Sequence, residues 1–267
     1  MTTTQETSGA ALKRWRMLRR LSQLDLSVSA DVSQRHLSFL ETGRAKPSRE
    51  MIIHLATVLD VPLRDRNTWL HAAGYAAVYS QHGLEEPAMD QVRHALELIL
   101  EAHAPFPAYV VDRAWTLVMI NQPAAALTSM MVSPEDAPLF GGNIMRLLLH
   151  PKGVREFVVN WESAAAALLR RLEREVAERP GDKVLVDLLS EVTAYPDVSG
   201  LLSRAEVPTG ADLLVPLHMD TPMGEMRFLT TIATIGAPFD VTLEELRLET
   251  LLPADAATET LLRKFAK

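Results

Sequence analysis

Residues 21–48, LSQLDLSVSADVSQRHLSFLETGRAKPS, constrain the fold of this chain more than any other stretch. They contain two short helical patterns with a tight polar break between them. Ser22 can cap a helix over residues 23–30 and Ser33 a second over 34–42, because a serine oxygen accepts from free N–H groups of the first turn. Gly43 follows the second helix, where a left-handed residue stops it, and Pro47 prevents its continuation. Leu26, Val32, Leu37 and Leu40 are the apolar positions that hold the pair against a third element. Gln34, Arg35, Ser38 and Phe39 are left on the outer face. Glutamine and arginine make paired hydrogen bonds to adenine and guanine edges, so this face suits the DNA major groove. A merely solvated face is the competing reading, about equally common for such a hairpin.

The segment resembles the helix-turn-helix of the lambda-repressor/Xre family. Ser22-Gln23 opens the first helix, Val32-Ser33 leads into the recognition helix, and Leu40-Glu41-Thr42-Gly43-Arg44 ends it. The resemblance implies that Gln23 braces both a phosphate and Gln34. Phosphate contacts fall to Gln23, Arg44 and Lys46, and base contacts to Gln34, Arg35, Ser38 and Phe39. Two departures stand out: Ser27 replaces the usual small alanine at the helix contact, and Asp31 the usual turn glycine. Serine is small, and aspartate tolerates the left-handed conformation better than most residues.

At 267 residues the chain suits one or two domains, and it has no apolar run long enough to span a membrane. Cysteine is absent, which excludes disulfides, thiolate metal sites and cysteine catalysis and fits a reducing cytoplasm. The net charge of −7 is unevenly shared: residues 1–80 carry +4 and residues 81–267 carry −11. A basic module on an acidic body is what a DNA-binding head on a non-DNA domain shows.

The expected division is a flexible arm (1–9), a five-helix DNA-binding domain (10–75), a hinge and linker helix (76–104) and a ligand-binding domain (105–267). In the head, residues 10–20 form a basic helix with Leu12, Trp15 and Leu18 at helical spacing. Lys13, Arg14 and Arg16 either touch phosphates or form a solvated basic face. Helices follow over 50–59 and 64–73, and Gly74 ends the last. In the linker helix, residues 89–103, Met89, Val92, Leu96, Ile99 and Leu100 make an apolar stripe. That stripe packs on the second domain or pairs two chains.

Beyond residue 105 the pattern changes. Residues 108–111 and 115–120 flank Asp112-Arg113 as a β-hairpin. Helices are expected over 122–131, 143–150, 154–178, 182–193 and 196–203, and strands over 213–218 and 224–235. In the last strand Met226, Phe228, Thr230, Ile232 and Thr234 fall on one side. Strands first, helices between and strands last make an α+β domain with an antiparallel sheet behind the all-α head. Residues 105–267 resemble the ligand-binding domain of MmyB-like transcription regulators, which is PAS-like. The carrying segments include Tyr109-Val110-Val111-Asp112-Arg113-Ala114-Trp115, Asn143-Ile144-Met145-Arg146-Leu147-Leu148 and Gly224-Glu225-Met226-Arg227-Phe228.

That resemblance implies a small-molecule sensor, with a fatty acid or similar lipid as one ligand. Tyr109, Trp115, Met119, Phe157, Trp161, Met226 and Phe228 are candidates to line an apolar tunnel, and each is also an ordinary core residue. Arg146 interrupts an apolar run, so it either forks a carboxylate or pairs with a nearby glutamate. His150 and His218 are candidate haem ligands, but hydrogen-bonded histidines explain them better, and no cofactor or metal is expected. No nucleophile motif or HExxH appears, so no enzyme is expected. The function expected is a ligand-responsive, sequence-specific DNA-binding regulator, cytoplasmic and homodimeric. The alternative is an Xre-headed protein-interaction or antitoxin-like module without small-molecule sensing.

Overall fold

Five helices form the N-terminal unit: α1 (Ser8–Leu18), α2 (Gln23–Ala30), α3 (Gln34–Glu41), α4 (Arg49–Val58) and α5 (Leu63–Ala72). The structure is a computed structural model that describes residues 6–179, 181–204 and 216–265. Thr7, Ser22, Ser33 and Ser48 each accept a first-turn N–H at the start of α1 to α4, satisfying a donor that has no partner inside the helix. Ser22 and Asp25 complete a reciprocal capping box. Asp31 takes the left-handed conformation at φ 50°, ψ 44°, and Gly43 does so at φ 72°. Leu12, Trp15, Leu26, Leu37, Leu40, Ile52, Leu55 and Trp69 make the core, with Val32 packed at its edge.

The first helix starts at Ser8, two residues before the expected position, because Thr7 caps it and Glu6 pairs with Arg14 at 2.9 Å. Residues 6–9 therefore belong to the fold rather than to an arm. Residues 1–5 of that arm lie outside the described residues.

The chain divides into two compact units, Met1–Gly83 with Gly236–Glu244, and Leu84–Ile235 with Glu245–Lys267. The second contains α6 (Asp90–Ala102), β1 (Ala108–Val111), β2 (Leu117–Ile120), α7 (Gln122–Met131), α8 (Ala137–Phe140) and α9 (Ile144–Leu149). Then come α10 (Trp161–Glu178), α11 (Lys183–Thr193), α12 (Leu201–Arg204), β3 (Leu217–Thr221) and β4 (Gly224–Thr234). The short α13 (Val241–Glu245) falls in the first unit but for its last residue, and β5 (Arg247–Pro253) and α14 (Ala256–Phe265) complete the second. The strands form one sheet in the order β2-β1-β5-β4-β3, antiparallel throughout. The second unit is thus α+β.

Differences from the expected elements have local causes. The hairpin turn is longer than two residues: Asp112 Oδ1 accepts from Ala114 N and Thr116 N at 2.8 and 2.9 Å, and Trp115 sits at φ 65°. The helix expected over 154–178 is interrupted, with a 3-10 turn at Val154–Phe157 before α10. Asn160 causes the break by bonding outside the helix: its Nδ2 donates to Pro216 O at 2.7 Å and its Oδ1 accepts from His218 N at 3.0 Å. The helix expected over 196–203 shrinks to α12, because Asp197 and Gly200 take φ of 65° and 72°. The strand expected over 213–218 appears as β3, and residues 213–215 lie outside the described residues.

Residues 236–244 complete the N-terminal unit. Pro62, ahead of α5, offers no side-chain cap, and Glu244 Oε2 accepts from Leu63 N at 2.7 Å instead. Asp240 Oδ2 accepts from the ring and the backbone N–H of His82 at 2.8 and 3.2 Å. No helix among the described residues is long and apolar enough to cross a membrane.

Candidate functional site

On α3 the capped N-terminus sets the direction of the first exposed side chains. Gln34 and Arg35 are exposed, and Ser38 and Phe39, one turn later, are half-buried. The Arg35 and Arg44 guanidiniums lie 5.3 and 6.0 Å from the centroid of the Phe39 ring, so an apolar ring is framed by two cations. Lys46 is exposed, its ammonium 5.3 Å from the Tyr75 ring, and Tyr75 in turn donates to Pro47 O at 3.0 Å. This end can offer forked donors, an apolar contact and phosphate-binding charge together.

Gln23 is placed otherwise than the resemblance implies. Its amide donates to Glu41 Oε2 at 2.8 Å, not to Gln34. Glu41 already accepts two hydrogen bonds from Arg16, at 2.6 and 3.0 Å, so the three side chains tie α1, α2 and α3 into one joint. Burial pushes the Glu41 carboxyl up, but the hydrogen bonds from Arg16 and Gln23 outweigh it and hold the carboxyl below its ordinary value. Arg16 is therefore withdrawn from the solvated basic face of α1, and Arg14 pairs with Glu6; Lys13 stays exposed.

In the second unit a cavity of about 300 Å³ lies against one face of the sheet. Its floor is a cross-strand row: Ile120 pairs with Tyr109, Tyr109 with Glu249, and Glu249 with Ile232. All four line the cavity, as do Thr230 and Leu251 of the next row. Ile120 and Ile232 remain 36% and 45% exposed, so the cavity opens to solvent along that row. The cover consists of Leu127 and Met131 on α7, Leu147 and Leu148 on α9, and the stripe Trp161, Ala164, Ala165, Leu168 and Arg171 on α10. Spacings of three and four residues put that stripe on one side of α10. Its alanines stop at a methyl group, which leaves the space between helix and sheet unfilled.

Polar groups gather at one side. Tyr109 donates to Glu249 Oε2 at 3.0 Å, and Arg171 Nη1 donates to Glu249 Oε1 at 2.9 Å. Arg171 also reaches Glu175 at 3.3 Å and lies 4.2 Å from the Trp115 ring centroid. Arg247 pairs with the same Glu175, lies 4.6 Å from the centroid of the same Trp115 ring, and donates to Asp112 O at 2.9 Å. Burial, reinforced by the Glu249 charge and hydrogen bond, pushes the Tyr109 phenol well above its ordinary value. It is a neutral donor at any physiological pH.

Of the eight residues expected around a ligand, Tyr109 and Trp161 line this cavity. Trp115 is fully buried beneath Arg171 and Arg247, and Met226 and Phe228 are fully buried in a neighbouring core cluster, with Phe157 packed against it. Met119 is half-buried on β2 and is not among the lining residues. Arg146 also lies apart from the lining: it forks Glu191 with two bonds of 2.8 Å, the internal ion pair that was the alternative reading. Tyr195 donates to the same carboxylate at 2.7 Å, and burial followed by that bond pushes its phenol up to about 12. Arg171 and Glu249 were not anticipated. The sequence held a signal for Glu249: Arg247 and Glu249 alternate with Leu248 and Thr250 at period two, which places charge on one face of a strand.

A family model described as MmyB-like transcription regulator ligand binding domain matches residues 92–265, and one described as Helix-turn-helix matches residues 12–65. No curated protein matches the chain.

Proposed function

Because the chain belongs to the family of MmyB-like transcription regulators, with a helix-turn-helix ahead of its ligand-binding domain, we propose that a small apolar molecule in the cavity sets its affinity for a specific operator. The observation that carries this reading is the cavity itself, roofed by α7, α9 and α10 and lined mainly by aliphatic side chains. Ligand sites of about 300–1,000 Å³ are typically apolar with a few placed polar groups. A single-chain lipid suits such a lining, and the fatty acid implied by the resemblance is one member of that class. A five-stranded antiparallel sheet with a pocket on one face supports the PAS-like description.

In this reading Gln34, Arg35, Ser38 and Phe39 meet base edges, the last against a thymine methyl, and Arg44 and Lys46 meet phosphates. Gln23 reaches a phosphate from its seat on Glu41. An eight-residue α3 spans few base pairs, which supports a homodimer on a two-fold operator with half-sites about 34 Å apart. The working protein is cytoplasmic, where the operator is. Ligand entry changes the spacing of the two heads relative to those half-sites.

Selecting bound sequences from random DNA supplies the operator, and native mass spectrometry of the purified chain detects a retained ligand. Operator affinity is then compared with the cavity filled and empty; equal values remove the switch. A head that contacts protein instead is favoured by the exposed Met17, Leu24 and Val28. Selection that enriches no sequence would support that rival.

A further inference from the structure

We infer that the ligand presents a neutral polar head, a hydroxyl or an amide, that donates to the oxygens of Glu249 and Tyr109 and accepts from Arg171, and not a carboxylate. The inference rests on the reading above, since an apolar body must first occupy the cavity.

The argument is charge balance. Two guanidiniums and two carboxylates meet at this side. Arg171 is engaged by Glu249 at 2.9 Å and by Glu175 at 3.3 Å, and Arg247 by Glu175 and the carbonyl of Asp112. Glu249 is only 2% exposed. An arriving carboxylate is a third anion against two cations that are already matched, and its lost hydration is not repaid unless Glu249 surrenders Arg171. The cluster is balanced in charge but has hydrogen-bonding capacity to spare on both sides: Arg171 has N–H groups beyond those given to Glu175 and Glu249, and Arg247 Nε is buried without a partner among the described residues. Each Glu249 oxygen receives one hydrogen bond and has a second lone pair, and the Tyr109 oxygen has its own. A hydroxyl or amide donates to Glu249 and accepts from Arg171 without adding charge.

The test uses the full chain loaded with the apolar dye N-phenyl-1-naphthylamine, displaced in turn by dodecanol and by dodecanoate at a pH where the acid is ionised. Dodecanol is expected to displace the dye at a concentration at least about tenfold lower, a difference of about 1.4 kcal/mol. Glu249→Gln releases Arg171 from its partner, so the preference narrows at least several-fold towards dodecanoate. That change in ratio separates the head-group effect from the different partitioning of the two amphiphiles. Tyr109→Phe is the second variant, expected to weaken dodecanol several-fold and dodecanoate little. Dodecanoate binding as tightly as dodecanol to the wild-type chain overturns the inference, and so does a ratio that neither variant moves. If neither the dye nor either amphiphile binds, the apolar-ligand reading fails first and this inference with it.

Discussion

Arg16 on the first helix forks Glu41, the last residue of the recognition helix, with hydrogen bonds of 2.6 and 3.0 Å. The two side chains are 12% and 4% exposed, and a third Arg16 bond reaches Leu21 O at 2.8 Å. The helix that carries the side chains proposed to read DNA is thus fixed at its far end by a polar joint beside the core. Removing one partner leaves the other buried and unmatched. Arg16→Ala is expected to destabilise the chain by about 3 kcal/mol in denaturant unfolding. A loss below about 1 kcal/mol would show that the joint is dispensable.

Glu41 and Asp240 are two partly buried carboxyls of the N-terminal unit that contribute to its acid limit. Burial pushes both carboxyls up, and hydrogen bonds outweigh it: Arg16 and Gln23 act on Glu41, and His82 and Ser80 on Asp240. Both therefore titrate below the ordinary carboxylate range. A carboxyl depressed in the folded state adds stability that is complete above its unfolded value and is lost as pH falls through the folded one. Stability should stay level from neutral pH down to the ordinary carboxylate range and drop below it. Unfolding curves across a pH series should show a shallower acid limb for Glu41→Gln; an unchanged limb contradicts the assignment.

Base and phosphate contacts separate by their salt and sequence dependence. Arg35→Ala should cost about 1–3 kcal/mol on the selected operator and less on unrelated DNA. Lys46→Ala should weaken both about equally and reduce the salt slope by about one. Binding titrations at several salt concentrations decide between the roles. Equal losses from Arg35→Ala on both DNAs would remove it from base reading.

Ala164 borders the cavity from α10. Ala164→Leu places three more carbons into that space and should abolish dye binding at least about tenfold while leaving the melting temperature within a few degrees. Unaltered dye binding would locate the ligand elsewhere.

Arg146 and Glu191 are about one-third exposed, so water screens their attraction. Arg146→Ala should cost about 1 kcal/mol of stability or less and leave ligand displacement unchanged. A loss of ligand affinity would return Arg146 to the site.

The head was legible because its signals are local. Ser22 and Ser33 are caps that sequence alone can place, and the positions of Leu26, Leu37 and Leu40 fix which side is buried. Gln23 was harder, since its partner Glu41 is eighteen residues away and its bond depends on how α2 packs against α3. The cavity was legible as a class and not residue by residue. Large side chains such as Met226 and Phe228 are the obvious candidates for an apolar lining, yet they fill space. The cavity exists where side chains are small, at Ala164 and Ala165. Arg171 and Glu249 meet from a helix and a strand seventy-eight residues apart, and no local pattern joins them.

The piece 236–244 bears on where this protein can be cut. The N-terminal unit is built from two separate lengths of chain, so its limits are not the limits of its helix-turn-helix pattern. A fragment ending at residue 83 keeps all five helices but loses Glu244 from the first N–H of α5 and Asp240 from His82. Such a truncation is a different folding unit from the head in the intact chain, and its melting behaviour reports on an unfinished structure. Transplanting this head onto another effector domain faces the same obstacle, since a distant nonapeptide must travel with it.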